Sequence, residues 1–290
     1  MDCNICPRNC KVNRTQTPGF CGMSNNLKLS KVGKFEWEEP VISGTKGSGA
    51  IFFSGCNLKC VFCQNYKISS EGFGREITVE RLIQIFKELE NQNVHNINLV
   101  SPTQFSEQII QALQIYKPKI PVVWNSNGYE NVSEIKKLQG LIDIYLVDCK
   151  FKNSELSKKY CKAENYFEVN AVCINEMLRQ QPAVILDKEN IMQKGVIIRH
   201  LVMPNCVYDS IDILKYLTSI YKDNFLLSIM GQYTPFYRAK DYPEINRKLK
   251  PLEYKMVINK AIEFGLNEGF VQDLKSATED FIPKFDLSGV

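Results

Sequence analysis

Three cysteines lie close together in the first quarter of the chain: Cys56, Cys60 and Cys63, spaced C-x3-C-x2-C. Three thiolates on one short loop can bind three irons of a cubane cluster and leave the fourth iron without a protein ligand. A cluster that only carries electrons normally has four cysteine ligands. The spacing therefore predicts a [4Fe-4S] cluster whose open iron binds a small molecule. From spacing alone, the alternative is a fragment of a four-cysteine zinc or ferredoxin site.

A second group of four cysteines lies at the start of the chain. Its members are Cys3, Cys6, Cys10 and Cys21, spaced C-x2-C-x3-C-x10-C. Proline and glycine between them predict an irregular segment with little core of its own, and metal binding supplies folding energy to such segments. Zinc, a rubredoxin-like iron and a second iron–sulfur cluster all take four thiolates. The spacing thus predicts a second metal site without choosing its metal.

The stretch around the first three cysteines resembles a known family. The residues EEPVISG…GSGAIFFSGCNLKCVFCQN, with Phe62 directly before the last cysteine, are similar to those of radical S-adenosylmethionine (SAM) enzymes. Within that family they resemble the PflX-like branch, which is related to pyruvate formate-lyase activating enzymes. The phrases CNICPRNC…GFCG, RHLV and QYTP resemble the same branch.

The resemblance implies a specific chemistry. SAM would bind the open iron, and one electron from a flavodoxin or ferredoxin would cleave it to methionine and a 5′-deoxyadenosyl radical. That radical would abstract hydrogen from a substrate, so the resemblance implies an oxidoreductase. Apart from the cluster ligands, no catalytic residue is assigned.

Composition restricts the remaining function classes. The chain has 290 residues, 44% hydrophobic and 23% charged, with a formal net charge of +4. The small charge and the lack of a basic run argue against nucleic-acid binding. No apolar stretch has the length of a signal peptide or a membrane span. Eleven cysteines in such a chain indicate metal ligands in a reducing cytoplasm, and oxygen-labile clusters suggest an anaerobic setting.

From residue 50 onward, short apolar runs alternate with amphipathic helices, which predicts βαβ units and a parallel sheet. The predicted strands are Ala50–Ser54, Asn96–Val100, Pro121–Asn125, Asp143–Asp148, Val196–Leu201 and Phe225–Met230. The predicted helices are Thr78–Glu90 with Thr78 as its N-cap, Ser106–Tyr116, Asp209–Tyr221 and Leu252–Phe264. Six such units do not close an eight-stranded barrel, and the resemblance implies an α/β fold, the (β/α)6 partial barrel of the radical SAM type.

We expect three regions along the chain. Residues 1–35 would form the cysteine-rich metal-binding segment and a connector to the barrel. Residues 36–250 would form the partial barrel. Residues 251–290 would add a helix and a short strand, Phe270–Gln272, and would cap the open side of the barrel or contact a partner.

Polar residues follow each predicted strand, where parallel α/β sheets bind their ligands. The candidate SAM-binding residues are Ser101, Thr103, Asn125, Asn127, Asp148, Lys150, Arg199, Gln232 and Tyr233. The resemblance implies that Lys150 pairs with the SAM carboxylate and Asp148 with its ribose or a neighbouring cation; a purely structural ion pair is the alternative. Alternation along the strand lets only one of Arg199 and His200 point inward, and the resemblance favours Arg199.

Two departures from the activating enzymes bear on the substrate. Their Gly-Gly-Glu motif, which binds the SAM amine, is absent after the second strand, where SPTQF stands with Gln104 at a position that is often histidine in the PflX-like branch. The four-cysteine segment also precedes the cluster motif instead of following it. We expect a protein or peptide substrate such as a glycyl radical enzyme. The alternatives are a small-molecule substrate or an electron-transfer protein without SAM chemistry.

The four remaining cysteines are assigned no function. Cys149 would point away from the site into the core, and Cys173 shares an apolar helical face. Cys161 and Cys206 are expected to lie apart from both groups of metal ligands, and no function is assigned to them.

Overall fold

The computed structural model describes residues 3–221, 224–266, 269–272, 274 and 282–290. The strands are β1 (Leu27–Phe35), β2 (Ser48–Phe53), β3 (Arg75–Ile77), β4 (Ile97–Val100), β5 (Val122–Ser126), β6 (Ile144–Asp148), β7 (Ile185–Leu186), β8 (Met192–Leu201), β9 (Leu226–Met230) and β10 (Gly269–Val271). The helices are α1 (Pro40–Ser43), α2 (Tyr66–Ser69), α3 (Val79–Asn91), α4 (Ser106–Ile115), α5 (Val132–Lys137), α6 (Ser154–Cys161), α7 (Tyr166–Gln180), α8 (Val207–Tyr221) and α9 (Pro251–Glu263).

The six predicted strands form the centre of the sheet in the order β2-β4-β5-β6-β8-β9, each parallel to its neighbour. Their residues are almost all buried, as in a parallel sheet covered on both faces. Among the described strands β3 and β10 lie at the two edges of the sheet and do not pair with each other. The expectation of an α/β fold with an open parallel sheet is confirmed.

The helices cover the outer face because their apolar residues recur at helical spacing. In α3, Leu82, Phe86 and Leu89 are buried, and the Thr78 hydroxyl accepts a hydrogen bond from the Arg81 amide at 3.2 Å. Thr78 is therefore the predicted N-cap, which satisfies one of the free amides at the helix start. The inner face of the sheet is smaller and packs against α1 through residues such as Ile42.

One edge of the sheet differs from the expectation. Residues 27–35, interpreted as part of a connector, form β1, which pairs antiparallel with β2, and β3 pairs antiparallel with β1. The sequence LKLSKVGKF buries Leu27, Leu29 and Val32, and the register shifts between Leu29 and Lys31. This bulge interrupts the strict alternation that would reveal the strand.

The described parts of the C-terminal extension reach both edges of the sheet. β10 pairs with β9, and α9 packs on α8. At the other edge the Val32 amide donates to the Ser288 carbonyl at 2.8 Å, and Lys31 pairs with Asp286 at 3.1 Å. Residues 267–268, 273 and 275–281 of the expected extension lie outside the described residues.

None of the helices in the described part of the chain combines the length and the apolar character that crossing a membrane requires.

Candidate active site

The loop that follows β2, here called the cluster loop, carries the three closely spaced cysteines. Gly55 begins it with a φ of +83°, and a Cβ there would lie 2.3 Å from the Met23 side chain, so only glycine fits. Cys56, Cys60 and Cys63 then line one cavity at the carboxyl ends of the central strands. The structure thus brings the three thiols to the edge of the sheet where ligands are expected.

Hydrogen bonds fix two of these sulfur atoms. Cys56 Sγ accepts from Asn127 Nδ2 at 3.4 Å and from the Leu58 amide at 3.5 Å, while Cys63 Sγ lies 3.2 Å from Ser69 Oγ. Burial and, to a smaller extent, the neighbouring Cys60 raise the pKa of Cys63 to about 12. The Cys63 thiol will therefore ionise readily only beside a positive charge such as a bound metal.

Cys161 contradicts the expectation that it lies apart from the metal ligands. Its sulfur is 3.2 Å from that of Cys60, and both side chains are buried. This contact and burial together raise the pKa of Cys60 well above its usual value. Helix α6 ends at Cys161 and carries it to the cluster loop, a long-range contact that spacing along the sequence cannot reveal.

The three thiols of this loop are not arranged around a single ion. Among the described residues, no three histidine, cysteine, aspartate or glutamate side chains meet as they would around one metal ion. A cubane needs a wider arrangement because each thiolate binds a different iron atom. Three thiols around one cavity, two of them with hydrogen-bond partners on sulfur, have the donor chemistry that such a cluster requires.

The cavity has a volume of about 230 Å³ and collects residues from the carboxyl ends of the six central strands. Eight of the nine candidate SAM-binding residues line it: Ser101, Asn125, Asn127, Asp148, Lys150, Arg199, Gln232 and Tyr233. Thr103 does not. Its hydroxyl donates to Glu130 Oε1 at 2.8 Å, because the short helical turn after β4 directs it away from the cavity.

A buried charge network forms one wall of the cavity. Asp148 contacts Lys150 Nζ at 2.7 Å and Arg199 Nε at 2.9 Å. Burial alone would raise the pKa of Asp148, but these two cations outweigh it and lower the pKa. Asp148 is therefore ionised at neutral pH, and both cations stay charged.

Glu38 is a site residue that the sequence interpretation missed. Its carboxylate accepts from Arg199 at 3.2 Å and from Asn125 Nδ2 at 3.2 Å, and it lines the cavity. Burial raises its pKa, while Arg199 opposes the shift. Glu38 lies between the end of the antiparallel strand β1 and the start of α1, so a search after the parallel strands does not reach it. The only available signal was two adjacent acidic residues before Pro40, within the stretch that resembles the family.

The polar residues after β5 hold the cluster loop. Asn127 Nδ2 donates to Asn57 Oδ1 at 2.8 Å, and the Tyr166 hydroxyl lies within 3.1 Å of the Asn127 carbonyl, the Asp148 carbonyl and the Lys150 amide. Gln104, at the position often occupied by histidine, donates to the carbonyls of Ser54 and Ser101, both at 2.8 Å. These contacts connect the loop to three strand ends.

The orientation predicted for Arg199 and His200, near the end of β8, is confirmed. Arg199 faces the cavity, whereas His200 is buried on the other face, with Nδ1 2.7 Å from the Cys149 carbonyl and Nε2 2.8 Å from Ser210 Oγ. The carbonyl can only accept, so the neutral ring carries its proton on Nδ1. Cys149 and Cys173 are buried in the core, as expected.

Comparison with known proteins now decides the family. Residues 50–180 match the model of the radical SAM superfamily. An uncharacterized protein of Methanocaldococcus jannaschii, MJ0674, is 34% identical over 274 residues, covering 92% of this chain and 76% of that protein. The chain belongs to the radical SAM superfamily. A second uncharacterized protein of that organism, MJ0808, is 25% identical over 93% of this chain and 80% of its own length.

Solved structures agree on the radical SAM fold. Streptococcus suis SuiB bound to S-adenosylmethionine superimposes with a TM-score of 0.53 at 15% identity, covering 77% of this chain and 49% of SuiB. SuiB bound to its precursor peptide SuiA gives a TM-score of 0.52 at the same identity. This radical SAM chain spans about half the length of SuiB.

Proposed function

We propose that this chain cleaves SAM reductively at a [4Fe-4S] cluster on Cys56, Cys60 and Cys63, and abstracts hydrogen from a protein or peptide substrate. The observation that carries the proposal is that the three thiols share one cavity with eight polar residues from the strand ends. An electron carrier has no need of such a cavity. When bound, the cluster and SAM supply the electron and the 5′-deoxyadenosyl radical.

The residues around the cavity match the functional groups of SAM. Lys150 and Arg199 are two buried cations at one wall, suited to a carboxylate. Asp148 and the amides of Asn125 and Asn127 lie beside them and suit the ribose hydroxyls. Because the Gly-Gly-Glu motif is absent, Glu38 is the carboxylate that we assign to the amine.

Tyr233 and Gln232 complete the proposed pocket on its far side. Tyr233 is buried and donates its hydroxyl to the Ile245 carbonyl at 2.8 Å, and its ring packs 6.1 Å from that of Phe62. A ring held in this way offers a flat apolar surface to adenine and keeps water from the cluster. Gln232 supplies an amide near the base.

The opening of the cavity supports a peptide substrate. Trp37 lines it and is 59% exposed, and the half-buried Phe236 and Pro283 line the same cavity. Exposed aromatic side chains of this kind are frequent where proteins bind other chains. SuiB, which shares the fold, has been solved with its precursor peptide. We further propose a flavodoxin or ferredoxin as reductant and the cytoplasm as location.

SAM cleavage is tested by anaerobic reconstitution with iron and sulfide, reduction with dithionite and assay of 5′-deoxyadenosine. We expect product from the wild type, none from Cys60→Ala, and wild-type levels from Cys173→Ala, a buried cysteine outside the site. If the wild type yields no product while it holds a reduced cluster, the proposal is wrong.

The substrate class needs its own test. A glycyl radical enzyme offered to the SAM-cleaving protein should give a glycyl EPR signal if this chain is an activating enzyme. If no such signal appears and peptides also leave SAM turnover unchanged, the peptide assignment fails and a small-molecule substrate replaces it.

The electron-transfer alternative has one observation in its favour, the contact between Cys161 and Cys60. A fourth thiolate from Cys161 would close the cluster. However, Cys161 is not among the residues that line the cavity and lies behind Cys60. We therefore expect Cys161→Ala to retain cluster and SAM cleavage; loss of the cluster would favour the electron-transfer alternative.

A further inference from the structure

The four N-terminal cysteines surround one small cavity, separate from the cavity that Cys56, Cys60 and Cys63 line. Cys3, Cys6, Cys10 and Cys21 all line it, together with Gly19 and Arg14. The sulfur atoms of Cys10 and Cys21 lie 3.7 and 3.6 Å from the position that a Cβ on Gly19 would occupy. All four cysteines are unpaired thiols, so a disulfide does not explain why they converge.

The N-terminal segment, residues 3–24, needs a bound metal for its stability. Residues 3–24 contain neither helix nor strand, and their buried apolar side chains are limited to Ile5, Cys21 and Met23. So little buried apolar surface does not offset the conformational entropy of ordering more than twenty residues. A metal bound by four thiolates supplies the missing free energy in small irregular segments.

One of the four sulfur atoms already accepts a hydrogen bond from an N–H group. The Phe20 amide donates to Cys10 Sγ at 3.2 Å. N–H donors to sulfur stabilise thiolates and orient metal ligands.

The charge of Arg14 points to an anion in this cavity. Arg14 is 5% exposed, and its guanidinium donates to the carbonyls of Gln104 at 2.6 Å, Ser24 at 2.5 Å and Met23 at 3.3 Å. Across the part of the chain that the structure describes, no ion pair joins Arg14 to a carboxylate. A buried cation without a counter-charge is costly, whereas four thiolates around a divalent ion carry a net charge of −2.

We propose that Cys3, Cys6, Cys10 and Cys21 bind one divalent ion tetrahedrally, zinc or iron, with Arg14 offsetting the charge of the complex. The cavity volume of about 10 Å³ matches one water-sized guest and is too small for a cubane. The thiols must rotate to meet the ion, since no three in the described residues yet do so. An irregular backbone permits this rotation.

The proposed N-terminal metal site supports the cluster loop directly. The Cys21 carbonyl accepts from the Cys56 amide at 3.4 Å and from Lys59 Nζ at 3.2 Å. Arg8 Nε donates to the Asn57 carbonyl at 2.7 Å. A metal that fixes Cys21 therefore also fixes the loop that carries the three other cysteines.

The experiment uses the full chain with Cys56→Ala, Cys60→Ala and Cys63→Ala, so that its result is independent of the proposed SAM chemistry. Titration with Co²⁺ alone should saturate at one ion per chain, with the visible spectrum of tetrahedral thiolate coordination. Adding Cys10→Ser and Cys21→Ser should abolish that spectrum, and adding Cys173→Ser should not. Arg14→Gln should weaken Co²⁺ binding about 10- to 100-fold, as loss of an outer partner of metal ligands does.

A second measurement on the wild type avoids any doubt about folding of the variants. X-ray absorption spectroscopy at the zinc edge of the zinc-loaded chain should give four sulfur neighbours at about 2.3 Å. The proposal is overturned if the triple-alanine chain binds no Co²⁺, or if reconstitution of that chain leaves acid-labile sulfide at the N-terminal cysteines, which would identify a cluster.

Discussion

At the scale of single residues, the ion pairs of Asp148 are expected to stabilise the fold. Its side chain is 15% exposed and contacts Lys150 and Arg199 together. Removing one partner of a buried ion pair leaves a charge without compensation, at a cost of about 3–5 kcal/mol. Exposed pairs contribute less than about 1 kcal/mol.

We therefore predict that Asp148→Asn lowers the free energy of unfolding by about 3 kcal/mol, measured by urea denaturation. The matched control is Asp241→Asn, which removes the partner of Arg238 in a pair with side chains 43% and 53% exposed. That change should cost less than about 1 kcal/mol. Equal losses in the two variants would contradict a buried network at Asp148.

His200 makes stability depend on pH. Burial lowers the pKa of His200 to about 4 in the folded chain, against about 6.5 when unfolded. The unfolded chain therefore binds more protons between these values. The stabilisation that neutral His200 provides is complete above about pH 6.5 and is lost as the pH falls toward 4.

We predict that the wild type loses about 2 kcal/mol more than His200→Gln when the pH is lowered from 7 to 5. Glutamine can still donate to the Cys149 carbonyl but does not titrate. Urea denaturation at each pH measures the difference. Identical pH dependence in the two proteins would show that His200 is not held neutral.

Single residues show where sequence interpretation works and where it fails. The strand-end rule placed Asp148, Lys150 and Arg199 correctly around one cavity because alternation and strand direction are local properties. Glu38 and Cys161 could not be found in this way. Glu38 reaches Arg199 at the cavity, and Cys161 reaches Cys60, through tertiary contacts between segments that are distant in sequence.

At the scale of elements, the turn after β5 depends on a glycine. Gly128 has a φ of +70°, and a Cβ there would lie 2.0 Å from Asn170 Nδ2 and 2.8 Å from the Asp148 carbonyl oxygen. The turn positions Asn127 against the cluster loop. Gly140 is a natural control, with a φ of +80° and no atom within 4 Å of the corresponding Cβ.

We predict that Gly140→Ala costs about 1–2 kcal/mol, the strain of the left-handed backbone. Gly128→Ala should cost about 1–3 kcal/mol beyond that, because the methyl group must displace its neighbours. Thermal or urea unfolding of the two variants provides the comparison. If both variants lose the same stability, the close packing around Gly128 is wrong.

The six central strands and the helices α3, α4, α8 and α9 were predictable because each carries its own pattern. The six central strands are apolar runs between turn residues, and α3 combines an apolar stripe with a capping threonine. β1 was missed because its bulge breaks the alternation and because its pairing with β2 is a tertiary contact.

At the scale of the whole molecule, segments from both ends of the chain meet the barrel near the site. The N-terminal segment contacts the cluster loop through Cys21 and Arg8. At the C-terminal end, Pro283 lines the cavity that holds Cys56, Cys60 and Cys63, and the Phe285 ring packs 5.6 Å from that of Phe52. Neither contact could be predicted from the sequence, since irregular segments carry no periodic signal.

The central claim is that SAM binds directly to the cluster on Cys56, Cys60 and Cys63. The most direct test is the EPR spectrum of the reduced cluster in the reconstituted full chain, recorded with and without SAM. We predict that SAM changes the spectrum of the wild type and of Cys173→Ala, while Cys60→Ala has no such cluster signal. Superimposable spectra with and without SAM would contradict the account and identify the protein as an electron carrier.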